Sequence, residues 1–92
     1  MTVQVSVEWQ KPESWNPEFV FAVFRGEDGE LHAFRASWDE KAKAFVFDSD
    51  QLGEFVLVYM EDWPEELLFK NDFYAALEEI MKQQLPVKGT EI

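Results

Sequence analysis

The sequence predicts a mainly β chain with a C-terminal α segment. The α+β architecture expected is a small antiparallel five-stranded sandwich or meander with one or two short helices packed on it. Two observations carry this. In residues 44–59, A-F-V-F-D-S-D-Q-L-G-E-F-V-L-V-Y, Phe45 and Phe47 alternate around Val46. A polar corner follows, and then Phe55, Leu57 and Tyr59 alternate with Val56 and Val58. That is strand, corner, strand, with both faces apolar. Past residue 60 the period lengthens: Phe73, Leu77, Ile80 and Gln84 fall on one helical stripe, with Ala76 and Met81 beside it.

The other elements follow in order. Val3, Val5, Val7 and Trp9 alternate with Gln4, Ser6 and Glu8, the pattern of a half-buried first strand. Pro12 and Trp15-Asn16-Pro17 interrupt it, so residues 10–18 read as a loop. Residues 19–24, F-V-F-A-V-F, are apolar on both faces and predict a central strand. Gly26-Glu27-Asp28-Gly29 is a tight turn. Residues 31–38 read as the third strand, 44–47 as the fourth and 54–60 as the fifth. Asp62-Trp63-Pro64-Glu65-Glu66 offers a helix N-cap, a first-turn proline and acids at the positive end of the dipole, and Asn71 or Asp72 offers a second cap. Pro86 should end the helix. The expectation is one domain over 1–92: a β unit over 2–60, an acidic helical segment over 61–86, and a flexible tail over 87–92.

Composition narrows the function classes. A chain of 92 residues must build its core from the nine Phe, four Trp and two Tyr it carries. Without cysteine it has no disulfide framework, thiolate metal site or cysteine nucleophile. No apolar run approaches the roughly 18 residues of a membrane span. Met1 leads directly into a strand pattern, with no basic leader segment. The expected location is the cytoplasm for a complete chain and the cell surface for a module of a longer secreted one. The net charge of −11 is uneven. Residues 1–46 carry eight acids and five Lys or Arg, residues 47–92 eleven and three, and no Lys or Arg lies between Lys43 and Lys70. Such a field opposes direct nucleic-acid binding and adhesion to anionic lipid, and suits a protein partner with a basic surface.

Residues 2–59 resemble the small immunoglobulin-like β-sandwich modules of surface and cell-wall proteins of Gram-positive bacteria, especially gut Firmicutes. The pieces that carry the resemblance are T-V-Q-V-S-V at 2–7, W-N-P-E-F-V-F-A-V-F-R at 15–25 and G-E-D-G-E-L at 26–31. S-W-D-E-K-A-K-A-F-V-F-D-S-D-Q-L at 37–52 and F-V-L-V at 55–58 complete them. The resemblance implies a spacer or adhesive unit without catalysis. Related domains that cut their own backbone use a His-apolar-Ser/Thr corner. Here Gln51, Leu52 and Gly53 supply neither base nor nucleophile, so no self-cleavage is expected. The acidic segment past Glu61 is foreign to these modules.

No reaction centre is signalled. His32, the single histidine, has no triad partner in sequence. Asp48, Asp50 and Glu54 lie around a glycine-bearing corner, open to a weak calcium loop or an ordinary Asx-rich turn. No catalytic residue, cofactor or metal site is assigned. The segment rich in acids and aromatics is the candidate binding feature: Glu61, Asp62, Trp63, Glu65, Glu66, Phe69 and Asp72, with the loop residue Trp15 as a further contact. Two readings stay open. One is a non-catalytic protein-binding or spacer module of a bacterial surface protein. The other is a small acidic inhibitor on a basic site, of the DNA-mimic or toxin-immunity type. Either would be a monomer or weak homo-oligomer.

Overall fold

The computed structural model describes residues 2–92. Among the described residues eight strands and one α-helix follow in order: β1 Val3–Glu8, β2 Val20–Arg25, β3 Leu31–Arg35, β4 Ser37–Asp39, β5 Ala44–Ser49, β6 Glu54–Tyr59, α1 Asn71–Met81, β7 Val87–Lys88 and β8 Thr90–Glu91. They form two antiparallel four-stranded sheets, ordered β4-β5-β1-β8 and β3-β2-β6-β7.

Five strands were expected, and both differences arise where the chain passes from one sheet to the other. The run 31–38 is not one strand. It turns at Ala36, whose N–H donates to the Val20 carbonyl at 3.1 Å, so β3 pairs with β2 while β4 pairs with β5. The 87–92 segment is not a frayed tail either. β7 pairs with β6 and β8 with β1, and Gly89 between them is buried. A Cβ on Gly89 would lie 2.5 Å from Val5 Cγ1 and 2.8 Å from Phe55 Cε2. Only a residue without a side chain lets the chain cross this corner against the core.

Strand parity explains why β2 and β6 are apolar on both faces. Val20, Ala22, Phe55 and Leu57 point between the sheets, where they meet Val5, Val7, Phe45 and Phe47. Phe21, Val23, Val56 and Val58 point the other way and are covered by Leu68, Phe73 and Leu77. The second sheet is therefore the middle of three layers, and α1 is the outer one. The first sheet is covered on one face only. Gln4, Glu8, Ser37 and Asp48 leave its outer face to solvent, so β1 shows plain alternation.

Local chemistry sets the turns. In the β2–β3 hairpin Gly26 N–H donates to the Glu30 carbonyl at 2.8 Å, and Gly29 takes φ +83°, a conformation cheap only for glycine. Asp39 Oδ1 accepts from the amides of Lys41 and Ala42 before β5. The loop before β2 closes as a 3-10 turn over Pro17–Phe19, capped by Asn16 through the Glu18 amide at 3.0 Å.

The helical segment differs from expectation at both ends. Asp62 does not cap a helix: its φ is +65°, and the turn that follows is a short 3-10 piece, Glu65–Leu67. Packing overrides the capping signal here, because Trp63 is drawn edge-on to Phe73, with ring centroids 5.7 Å apart. Neither Asn71 nor Asp72 caps α1. Lys70 occupies that place without a side-chain hydrogen bond, and Asn71 is already helical. The helix stops at Met81, ahead of Pro86 and short of Gln84 on the predicted stripe. Eleven residues do not hold a helix alone. Phe73 and Leu77, fully buried on the sheet, hold this one.

Replacing Gly89 with alanine should overpack the Val5–Phe55 corner and lower stability by about 1–3 kcal/mol. Urea denaturation checks this, and an unchanged midpoint would show that the corner can relax.

Candidate protein-docking surface

The segment from Glu61 to Asp72 crosses from the end of β6 to the first turn of α1, on the outer side of the middle sheet. Its backbone is unusual twice. Asp62 and Phe69 both have positive φ, 65° and 63°. Aspartate tolerates this conformation; a bulky aromatic does so at a cost of about 1–2 kcal/mol. Contacts beneath offset that cost. The Phe69 ring lies edge-on to Phe21 at 6.0 Å and tilted to Phe73 at 5.3 Å. Such pairs contribute about 0.5–1.5 kcal/mol each beyond their buried area. The outcome is a ring anchored on one side and 39 % exposed on the other. Leu67, two residues earlier, is 44 % exposed.

Acids surround these two apolar side chains. Glu61, Asp62, Glu66 and Asp72 are exposed and make no ion pair among the described residues. Glu65 differs: its Oε1 accepts from Arg35 Nη2 at 2.6 Å, and the guanidinium also lies over the Phe21 ring, 5.7 Å from its centroid. Both partners of this pair are well exposed, which keeps its worth small. It links residue 65 to β3, while Trp63, Leu68 and the Phe69 ring anchor the segment on the sheet and helix. On α1, Glu78 is bonded by Arg25, which also donates to the Gly29 carbonyl.

The predicted contact residues thus divide. Glu61, Asp62, Glu65, Glu66, Phe69 and Asp72 are all exposed along the one connection between β6 and α1 and its first helical turn. Trp63 belongs to it as a floor, half-buried against the helical layer. Trp15 lies elsewhere. It packs on the core between the sheets, stacked on Tyr59 at 5.1 Å with the rings 6° from parallel, and on Trp9 at 6.4 Å. The Tyr59 hydroxyl accepts from the Asn16 amide and holds that loop in place. Leu67, an apolar member of the same acid-and-aromatic run in the sequence, is exposed beside them. Its position inside an acidic run was the available signal.

The other singled-out groups have local accounts. Ser49, buried between Asp48 and Asp50, is satisfied by Gln51: its Oγ donates to the carbonyl at 2.8 Å and accepts from the amide at 2.9 Å. No group of three His, Cys, Asp or Glu side chains forms a metal-holding cluster among the described residues. His32 is half-buried on β3 opposite Phe24. Glu40 has its pKa lowered by hydrogen bonds from Lys43 and from the Trp38 indole. Tyr74, on the α1 face turned to the sheet, has its phenol pKa raised by burial.

No family model matches the chain. No curated protein matches it, and no solved structure does.

Two outcomes follow from this geometry. At residue 69 the ordinary order of glycine and alanine should invert. Both substitutions lose the ring, but Phe69→Gly removes the left-handed strain and should be more stable than Phe69→Ala by about 1 kcal/mol in urea denaturation. A raised folded-state pKa means that Tyr74 contributes stability below its unfolded value of 10.0, which is lost as pH rises through the folded pKa. Tyr74→Phe should therefore flatten the alkaline part of the pH–stability curve; identical curves would show the phenol to be as solvated as in the unfolded chain.

Proposed function

We propose that this chain is a non-catalytic protein-binding module. It docks the basic surface of a partner protein through Glu61, Asp62, Glu65, Glu66, Phe69 and Asp72, with Leu67 as a second apolar contact and Trp63 as the floor beneath. One observation carries the reading. Two large apolar side chains, one on strained backbone, stand exposed beside Glu61, Asp62, Glu66 and Asp72, none of which makes an ion pair among the described residues. Strained and exposed apolar groups concentrate where proteins make contacts, and flanking charge steers the encounter. The resemblance of residues 2–59 to bacterial surface modules supports a place in a cell-surface protein, where such a unit would serve as an adhesive or spacer module.

A second reading uses the same surface. Carboxylates held at fixed positions copy the charge of a phosphate row, so a small acidic inhibitor of a nuclease or toxin would present this arrangement. The unpaired Glu61, Asp62 and Glu66 favour it. The two readings differ in the partner and share the contact.

The test compares the chain with a variant carrying Glu61→Gln, Asp62→Asn, Glu66→Gln and Leu67→Ser. All four side chains are exposed, so the fold should survive. A partner captured by the unaltered chain should be released as salt rises from about 0.1 M to 1 M. It should bind the variant at least about tenfold more weakly, a loss of about 1.4 kcal/mol. A partner that holds the variant equally well and ignores salt would overturn the proposal.

A further inference from the structure

The docking surface adjoins a strand edge with unused backbone. In the β2–β3 hairpin Gly26 N–H donates to the Glu30 carbonyl at 2.8 Å, and beyond the strand Ala36 N–H donates to the Val20 carbonyl at 3.1 Å. In an antiparallel ladder both backbone groups of one residue point the same way, and the direction alternates. Residues 30, 32, 34 and 36 therefore face β2. Leu31, Ala33 and Arg35 direct their N–H and C=O groups to the opposite side, where no strand pairs with β3 among the described residues.

This edge has room beside it. A groove runs between β3 and α1, with Glu30 and Leu31 on one wall and Asn71, Tyr74 and Glu78 on the other. Residues 31–34 are half-buried and Arg35 is exposed, unlike the buried start of β2. The groove lies at the Leu31 end of the edge, and at the Arg35 end the edge reaches Glu65 and the Phe21–Phe69 rings, so the free edge of β3 links groove and docking surface. Protein edges are commonly blunted by proline, lysine or a bulge. L-H-A-F-R carries only Arg35, which is turned to Glu65.

We infer that β3 accepts an extended basic segment of the partner as an added strand, lying in the groove against α1. The inference rests on the docking reading and names the form of its partner. Main-chain bonds to Leu31, Ala33 and Arg35 would supply affinity, and alternate side chains would reach Glu30 and Glu78 at one end and Glu65 at the other. Charge selects a basic occupant: Glu30 makes no ion pair among the described residues, Glu78 and Glu65 each engage a single arginine through one carboxylate oxygen, and the chain carries −11 overall.

The probe is the peptide Ac-Arg-Val-Arg-Val-Arg-NH2, followed by NMR amide exchange on the whole chain. Binding should slow exchange at Leu31, Ala33 and Arg35 by at least about tenfold. N-methylation at alternate peptide residues should weaken binding at least about tenfold, and the Glu-Val-Glu-Val-Glu analogue should not bind. Ala33→Pro removes one outward N–H without touching a bond to β2, so it should abolish peptide binding with the fold intact. Three outcomes overturn the inference: no binding, binding indifferent to N-methylation, or perturbation confined to residues 61–69 with β3 exchange unchanged. The last of these leaves the docking reading standing.

Discussion

Burial of the second sheet on both faces is the constraint on which the rest depends. β2 and β6 each send alternate side chains into two separate cores, one shared with the first sheet and one with α1. Phe21 and Phe73, each buried and 5.1 Å apart edge to face, join sheet and helix. Losing a ring of this kind costs about 3–5 kcal/mol, comparable to the net stability of a small domain. The helix and the segment before it are thus structural elements of the fold.

That constraint also explains the surface. Leu68 and Trp63 turn inward to complete the outer core from the eleven residues, 60–70, that connect β6 to α1. Two left-handed residues meet the demand, and Leu67 and Phe69 are left facing partly outward. Acids fill the other positions. The same layer places α1 alongside the free edge of β3, so the groove and the apolar–acidic patch arise from one packing arrangement.

Much of this was legible in the sequence. Continuous apolar runs at 19–24 and 54–60 marked strands covered on both faces, and the clean alternation of β1 marked a strand covered on one. The polar turn at 26–29 and the stripe through Phe73 and Leu77 also stand as read. Three features were not legible, each for a physical reason. The bend at Ala36 interrupts L-H-A-F-R-A-S-W without glycine or proline, because it is fixed by which strand each half pairs with. β7 and β8, two residues each, are too short for any periodicity, and only Gly89 hinted at a close approach. The Asp62-x-Pro64 capping signal gave way to the burial of Trp63. In the candidate site the acids were visible from composition. The exposure of Leu67, the separation of Trp15 from the acidic face and the open edge of β3 depend on tertiary packing and register.

The central claim is that the outer helical layer and the second sheet fold as one unit. Native-state amide exchange at increasing denaturant measures this directly. Amides of α1 near Phe73 and Leu77 should exchange only through the same large opening as those of β2 and β6, with matching free energies and denaturant dependence. A helix that exchanges through a small, separate opening while β2 and β6 stay protected would contradict the account.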